Sequence, residues 1–426
     1  MKRVSVNARK FERREKKSRT NKDDLTASDS RIVFMVKLGQ ALHRYGVPAH
    51  RLEQSMNLVA QRFGIQGGFF VTPTGIFASF GLPEEHRTSL IRIESSEVNL
   101  EKLARLDELT SRVIRGEVNV GEGTQEIDRI VAAPARYGPV LSTICFALAS
   151  GAAARFLGGG WREVLVTTLI GLLVGILALL MGRLKEASKV FEPTAAIVAA
   201  ALVMVAARLL SPLAVYLTTL ASLIVLLPGL TLTTAMHELA TRNLVSGTAR
   251  LTGAALLFFQ LGFGVALGSQ INRVLAPVAF AANPAALPAW TLWIALVIAP
   301  ITFTVLFNAR LRDVGWIMPA CLLAFGGARA GAYLFGPELG VCIGAIFAGA
   351  SGNLYARWLD RPAAIPMVPA IMLLVPGSLG LTSLAKFIER DVMSGVMTAF
   401  SMILIAVALV TGLLMANVIV PPRKTL

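Results

Sequence analysis

Charged residues are scarce in this chain. Only 16% of its 426 residues are Asp, Glu, Lys or Arg, whereas a typical soluble domain has about 25%. Hydrophobic residues make up 54%, and the mean hydropathy is +0.64. Most of the charges lie in residues 1–138. This composition excludes an ordinary soluble enzyme and predicts a membrane protein with a more polar N-terminal part.

Cysteine is almost absent. The three cysteines, Cys145, Cys321 and Cys342, lie in apolar runs and show neither a disulfide framework nor a metal-ligand spacing. We therefore expect small buried side chains and no metal site. The sequence also has no Walker-type nucleotide loop, which argues against an ATP-driven pump. No cofactor is expected.

The apolar residues after residue 138 form runs of about 20 residues, the length that crosses a bilayer as a helix. Lipid cannot hydrogen-bond a bare backbone, and the runs do not alternate apolar with polar residues. Helices are therefore expected rather than a β-barrel. Ten spans are predicted, at 139–157, 163–182, 194–210, 212–228, 248–270, 289–308, 314–334, 337–356, 363–377 and 395–419.

With ten spans, both chain ends lie on one side of the membrane. Lys and Arg are more frequent in the loops that share a side with the basic N-terminal region, and such loops are usually cytoplasmic. We expect a multi-pass protein of the cell inner (plasma) membrane, surrounded by lipid, with both termini in the cytoplasm. Assembly into a homo-oligomer is left open.

One stretch of the chain occurs twice. Residues 226–247 read LLPGLTLTTAMHELATRNLVSG, and residues 374–395 read LVPGSLGLTSLAKFIERDVMSG. The two align without a gap at an offset of 148 and share seven of 22 residues, including the Pro-Gly step and the final Ser-Gly. Each copy is predicted to close the fourth span of a five-span half and to lead into the fifth.

Five is an odd number, so the second half would enter the membrane in the opposite direction, as in many secondary transporters. One Pro-Gly step would then lie at the cytoplasmic face and the other at the outer face. The alternative is that Pro-Gly followed by an amphipathic helix is merely a common membrane loop.

The predicted fold is a polytopic α-helical membrane protein, with two inverted five-helix repeats preceded by a small α+β cytoplasmic domain. The predicted segments are a basic tail at 1–29, the α+β domain at 30–138, the first repeat at 139–270, a linker at 271–288 and the second repeat at 289–420.

Pro and Gly interrupt helical hydrogen bonding, and backbone groups freed at membrane depth must face protein or a watery cavity. Amides at a helix N-terminus bind a carboxylate well, while hydroxyls and carbonyls suit an ammonium group. The breaks are therefore predicted to bind a small zwitterion such as an amino acid, or a dicarboxylate. Hydroxyls that only satisfy neighbouring backbone are the alternative. The candidate binding residues are Pro228, Gly229, Thr231, Thr233, Thr234, Asn353, Pro376, Gly377, Ser378 and Thr382.

Three polar residues are predicted to have particular roles. Asn353 stands out because an amide in an apolar span requires a partner. His237 and Glu238, next to the first break, are candidates for carrying a coupling proton, because histidine titrates near neutral pH. A pair on the solvated face of an interfacial helix is the alternative for His237 and Glu238.

The N-terminal region has two parts. Ten of the first 22 residues are Lys or Arg. Such a tail can contact anionic lipid or nucleic acid, but a disordered cytoplasmic extension is the simpler expectation, and no nucleic-acid partner is predicted. No apolar stretch follows the tail directly, so we expect no cleaved signal peptide.

Residues 30–138 have the pattern of a folded α+β domain. Pro48 begins a helix that Gly64 ends. GFFVTPTGIFASF and RTSLIRI indicate strands, and further helices are expected near 98–115 and 122–133. The first helix carries His50 and Glu53 one turn apart. No second ligand pair or nucleophile accompanies them, so a capping or docking role is favoured over a metal or acid–base site.

Three stretches, YGVPAHRLE, TPTGIFASF and PGLTLTTAMHELATRNLVSGTAR, together resemble the threonine/serine exporter family, and the resemblance extends over nearly all of residues 30–420. That family joins a cytoplasmic N-terminal domain to ten spans, and it also occurs as two separate half-proteins. The positions that the resemblance points to are His50, Arg51, Glu53, Thr72, Pro73, Thr74, Gly75, Pro228, Gly229, Glu238, Ser246 and Gly247.

The resemblance implies a secondary transporter, not an enzyme, that exports threonine and serine and is driven by the proton motive force. Split relatives are associated with dicarboxylate export, so a succinate-like substrate is the alternative. A membrane-bound hydrolase that uses the N-terminal domain is less favoured, because the sequence shows no nucleophile and base at a recognisable spacing.

Overall fold

The structure, a computed structural model, describes residues 30–81, 87–93, 97–273 and 284–422. They fall into two compact units. One holds the described residues up to 97 together with 102–134, and the other holds 98–101 and the described residues from 135 onward. The basic tail predicted at 1–29 and most of the linker predicted at 271–288 lie outside the described residues.

The first unit combines helices with a small sheet. Its helices are α1 (30–44), α2 (Ala49–Phe63), α3 (Leu100–Ile114) and α4 (Val120–Ala132). The strands β1 (Gly67–Thr72), β2 (Gly75–Phe80) and β3 (Arg87–Arg92) form an antiparallel meander in chain order.

Local sequence explains where these elements begin and end. Pro48 precedes the first residue of α2, where its missing N–H costs nothing. Gly64 ends the helix in the left-handed region, at φ 67°. One face of α2 is buried and carries Leu52, Met56 and Val59, and this helix packs on β1. The elements predicted for this region from the sequence are present.

The second unit is a bundle of apolar helices. They are α5 (Pro139–Phe156), α6 (Trp161–Gly182), α7 (Lys185–Ser188), α8 (Phe191–Leu209), α9 (Val215–Ser222), α10 (Gly229–Ala240), α11 (Leu244–Arg273), α12 (Trp290–Leu306), α13 (Val314–Phe335), α14 (Pro337–Leu359), α15 (Ala364–Met372), α16 (Gly377–Ile388) and α17 (Val392–Ile419).

The bundle has the length and surface of a membrane domain. Among the described residues, eight helical segments are long and apolar enough to cross a bilayer, and the bent pair of α9 and α10 makes a ninth. The apolar helix α12 has 17 residues, near the lower limit for a span. Large side chains such as Leu169, Phe263 and Phe400 are exposed on the bundle, as expected against acyl chains. The chain is a polytopic helical membrane protein, as predicted, and the count of ten spans stays a prediction.

The sequence repeat has a counterpart in the helix bounds. α10 and α16 each have 12 residues and begin 148 residues apart, as do α11 and α17. At the two corners that follow, Arg242 and Arg390 both adopt the left-handed conformation, at φ 64° and 65°. The 148-residue offset between the two sequence copies is thus also the offset between the equivalent helices.

Helix packing follows the same repeat. α8 packs on α11 and α14 packs on α17, while α11 contacts α16 and α17 contacts α10. Gly264 and Gly412 occupy equivalent positions on α11 and α17. A side chain at either would overlap a backbone carbonyl of the neighbouring helix, that of Pro193 or of Cys342. The two halves therefore repeat one pattern of helix contacts.

Candidate functional site

The two Pro-Gly steps interrupt two helical segments in their middle. α9 ends at Ser222, the chain bends by 52° at Leu223, and α10 starts at Gly229 after a short helical turn at Ile224–Leu226. In the second half α15 ends at Met372, and α16 starts at Gly377. The spans predicted to end at 228 and 377 therefore continue to Ala240 and Ile388. Each Pro-Gly step begins the second part of a broken span rather than closing a span.

The two breaks lie against each other. A methyl group placed on Gly377 would be 3.5 Å from the Cα of Gly229 and 3.2 Å from the Cβ of Leu227. A methyl group on Gly229 would overlap the side chain of Val375. The prediction that one Pro-Gly step lies at each membrane face is therefore wrong, because groups in contact cannot be a bilayer thickness apart. We call this contact the Pro-Gly crossing.

The hydroxyls predicted beside the breaks are partly engaged with their own helices. Thr233 Oγ1 donates to Gly229 O at 3.1 Å, and Thr382 Oγ1 donates to Ser378 O at 2.9 Å. Thr231 is exposed, and Thr234 is half-buried. Since a hydroxyl has one hydrogen, Thr233 and Thr382 keep only acceptor capacity for another group.

The corner between α10 and α11 contains a buried ion pair. Glu238 is 0% exposed, and Arg250 Nε donates to its two carboxylate oxygens at 3.2 and 3.0 Å. Ser246 Oγ donates to the same carboxylate at 2.8 Å. His237 is only half-buried. Glu238 thus lies inside the protein rather than on a solvated helix face, and it joins α10 to α11.

The equivalent corner between α16 and α17 is built differently. Lys386 occupies the position that matches Glu238, and it pairs at the surface with Glu389 at 3.1 Å. The corner is instead joined by Ser383 Oγ, which donates to Gly395 O at 2.7 Å. Of the two repeat-related corners, the α10–α11 corner has the buried ion pair.

A cavity of about 480 Å³ lies between α8, α9, α11 and α16. Its apolar wall includes Leu220, Gly262 and Leu381, the last of which is one turn beyond the Pro-Gly crossing. Its polar lining residues are Tyr216, Thr219, Ser269, Gln270, Glu389 and Arg390. Gln270, Glu389 and Arg390 are exposed, so the cavity opens at this end of the helices.

Tyr216, near the start of α9, shows how the broken helices are arranged. Its side chain interacts with Thr382 of α16. It also interacts electrostatically with Glu389, which lies just beyond the end of α16. The start of one broken helix is therefore next to the end of the other, so the two run in opposite directions. None of the residues predicted to bind substrate, all of which lie in the described part of the chain, lines the cavity; Thr382 follows the lining residue Leu381 in α16.

Asn353 is bonded elsewhere. This buried amide of α14 donates from Nδ2 to Asn417 Oδ1 at 2.9 Å and to Val420 O at 2.7 Å. It therefore holds α14 to the C-terminal end of α17. The protein itself satisfies the donor nitrogen of this amide, whereas Asn353 Oδ1 is buried without a hydrogen-bond partner among the described residues.

In the N-terminal unit, Glu53 of α2 and His43 of α1 attach their helices to the sheet. Glu53 Oε1 accepts from Val71 N at 2.8 Å, and His43 Nε2 is 2.8 Å from Thr72 O. Thr72 Oγ1 donates to Gly75 O at 3.1 Å across the turn formed by Pro73 and Thr74. These contacts attach α1 and α2 to the end of β1.

Two further observations concern a possible acid–base or metal site. Arg51, beside His50 on α2, is partly buried, and desolvation lowers the pKa of its guanidinium below the ordinary value. In the part of the chain that the structure describes, no group of three His, Cys, Asp or Glu side chains could hold a metal ion.

The cavity residues were not found from the sequence. They come from four helices between Ala200 and Arg390 and share no local motif. One signal was available: Arg390 aligns with Arg242 in the duplicated stretch. That match indicates a repeated corner but gives no sign of an adjoining cavity.

Comparison with known families agrees with this architecture. A family model described as "Putative threonine/serine exporter" matches residues 33–272, and a second, described as "Threonine/Serine exporter, ThrE", matches residues 292–419. No solved structure matches the chain.

Several curated fungal proteins are similar to the chain. It is 29% identical over 363 residues to pheromone-regulated membrane protein 10 of Candida albicans (strain WO-1), covering 81% of this chain and 32% of the relative. The Kluyveromyces lactis protein of the same name is 30% identical over 359 residues, covering 80% and 37%. That of Saccharomyces cerevisiae (strain YJM789) is 27% identical over 379 residues, covering 86% and 48%. The chain spans a third to a half of the length of these relatives.

Proposed function

Since this chain belongs to the threonine/serine exporter family of membrane transporters, we propose that it exports threonine and serine from the cytoplasm as a secondary transporter driven by the proton motive force. Its site of action is the plasma membrane, with both termini in the cytoplasm. The family membership supports transport, and the choice of threonine and serine rests on the family's name together with the chemistry of the broken helices.

The observation that carries this proposal is the Pro-Gly crossing. α10 and α16 both begin there, at Gly229 and Gly377, in the interior of the bundle. The first-turn amides of a helix lie at the positive end of its dipole and, apart from locally bonded ones (here Gly229 N to Leu227 O at 2.8 Å and Leu379 N to Pro376 O at 3.1 Å), lack intrahelical partners. Two such N-termini at one place favour a carboxylate, which every amino acid substrate carries. Broken helices that meet at a substrate site are typical of secondary transporters.

The directions of the broken helices support an inverted repeat. α9 starts near the end of α16, because Val215 and Tyr216 line one cavity together with Glu389 and Arg390. We therefore assign the corner between α10 and α11 to the cytoplasmic side and the corner between α16 and α17 to the outer side. A crossing of antiparallel broken helices gives either side of the membrane an equivalent route to one central point.

For proton coupling we retain His237 and Glu238. His237 is half-buried at the α10 corner, and Glu238 behind it is held by Arg250. Protonation of Glu238 would remove the charge that attracts Arg250 and would loosen the contact between α10 and α11. Proton uptake at this corner would in that way be linked to movement of a broken helix.

The substrate is tested by paired efflux measurements in a strain that lacks the protein. Cells fed threonine-containing dipeptides should accumulate threonine several-fold over cells that express it, because hydrolysis supplies threonine without an exit route. Succinate-loaded cells should release succinate equally with and without the protein. Unchanged threonine efflux together with slower succinate efflux in the deletion strain would replace the amino acid by a dicarboxylate.

A further inference from the structure

The cavity between α8, α9, α11 and α16 has polar groups of two kinds at two depths. We propose that it is a second binding position, separate from the Pro-Gly crossing, that holds the substrate as a zwitterion, with the ammonium group against the buried hydroxyl oxygen of Thr219 and the carboxylate held near the mouth by Arg390. This inference rests on the proposed function and adds to it a site, an orientation and a reason to prefer amino acids over dicarboxylates. Its volume, about 480 Å³, lies in the ordinary range for small-molecule sites, roughly 300–1,000 Å³.

Two hydroxyls of the cavity, that of the buried Thr219 and that of Ser269 beside the exposed Gln270, have already donated their hydrogens. Thr219 Oγ1 donates to Val215 O at 2.9 Å, and Ser269 Oγ donates to Ala266 O at 2.8 Å. Each hydroxyl has one hydrogen and two lone pairs, so its remaining capacity is that of an acceptor. An ammonium group, with three donors and no acceptor, complements such a wall. A substrate hydroxyl can also donate to it.

The mouth of the cavity is cationic. Glu389 is paired with Lys386 at 3.1 Å. The other charged residue that lines the mouth is Arg390. Within the described residues, the Arg390 guanidinium has no carboxylate partner. Arg390 sits in the left-handed turn between α16 and α17, at φ 65°, and a guanidinium binds a carboxylate through two parallel hydrogen bonds.

This distribution of donors and acceptors discriminates between the two candidate substrate classes. A zwitterionic amino acid places its carboxylate at Arg390 and its ammonium group against the buried Thr219. A dicarboxylate bound in the same way would turn its second carboxylate toward the hydroxyl oxygen of Thr219, whose hydrogen is already donated to Val215 O and whose lone pairs repel a carboxylate. The cavity therefore favours amino acids.

The repeat supplies a matched control for the key residue. Arg242 is equivalent to Arg390, is exposed in the same left-handed turn at φ 64°, and does not line the cavity. Binding of radiolabelled threonine to the purified full-length protein in nanodiscs should weaken about ten- to a hundredfold in Arg390→Gln, the usual loss for a charge-assisted hydrogen bond. Arg242→Gln should bind as the wild type does.

A second probe reports the orientation. Threoninol, which lacks the carboxylate, should bind weakly to the wild type and no more weakly to Arg390→Gln, because it has nothing for Arg390 to hold. Thr219→Val keeps the shape of the side chain and removes the acceptor, so it should weaken both threonine and threoninol. Thr219→Ser, which keeps the hydroxyl, should bind both ligands as the wild type does. The comparison of Thr219→Val with Thr219→Ser tests the ammonium position even if Arg390→Gln fails to fold.

The outcomes separate this site from the proposed function. If the wild type binds threonine and Arg390→Gln binds it equally well, or if Arg242→Gln is impaired to the same degree, the cavity assignment is overturned while threonine transport stands. If the wild type binds succinate and not threonine, both the orientation and the proposed substrate are overturned.

Discussion

Replacing Gly229 by alanine should nearly abolish threonine efflux, because the added methyl group overlaps the side chain of Val375 at the Pro-Gly crossing. Valine is branched at Cβ and has little rotameric freedom to move away. Overpacking of this kind costs about 1–3 kcal/mol, and here it acts where two broken helices must stay in register. Efflux from cells, normalised to the amount of protein in the membrane, is the measurement.

The equivalent substitution on the other helix is the control. A methyl group on Gly377 would lie 3.2 Å from Leu227 Cβ and 3.5 Å from Gly229 Cα, distances that small shifts can relieve. Gly377→Ala should therefore keep most of the efflux. Shortening Val375 to alanine in the Gly229→Ala protein should restore transport, because it removes the overlapping group. Wild-type efflux by Gly229→Ala alone would show that the crossing is not a constraint on transport.

The second large effect is expected at the buried ion pair. Glu238→Ala should lower the thermal stability of the purified full-length protein severely, since it leaves Arg250 charged in a position only 16% exposed. Breaking a buried pair on one side costs about 3–5 kcal/mol, whereas replacing both partners by apolar residues of similar size is often neutral. The double variant Glu238→Met with Arg250→Met should therefore recover most of the stability.

The double variant also tests the coupling role. If Glu238 carries the coupling proton, the recovered protein should release threonine from proteoliposomes at the same rate with and without a pH gradient. Ser246→Ala, which removes a neutral partner of the same carboxylate, should keep the response to the gradient. A double variant that still responds to the gradient as the wild type does would restrict Glu238 to a structural role.

The sequence predicted the 148-residue repeat correctly, but it placed the two Pro-Gly steps at the wrong depth in the membrane. The ungapped match at an offset of 148 located the two helix interruptions at the Pro-Gly steps, because proline and glycine interrupt a helix wherever they stand, but the predicted spans ended there, whereas α10 and α16 continue them. The breaks were placed at the membrane faces because polar residues such as His237 and Glu238 follow the first one. The partner that allows Glu238 to be buried, Arg250, is 12 residues further on, across a helix corner. Pairing across a corner is not visible in hydropathy.

The candidate site was predictable only in part. Local signals identified the Pro-Gly steps and, through Pro48 and Gly64, the bounds of α2. Asn353 was recognised as a buried amide, but the sequence did not show that Asn417 bonds it. The cavity is formed by four helices far apart in the chain, so its lining depends on packing that no single stretch encodes.

The central claim is that two antiparallel broken helices cross inside the membrane and end on opposite sides. Leu244 and Val392 are equivalent residues just beyond the two corners, and each is 60% exposed. Each is replaced by cysteine in a protein whose own three cysteines, Cys145, Cys321 and Cys342, have been changed to alanine. A membrane-impermeant maleimide added to intact cells should label Val392→Cys at once and Leu244→Cys only after the membrane is permeabilised. Labelling of both from the same side would contradict the inverted arrangement.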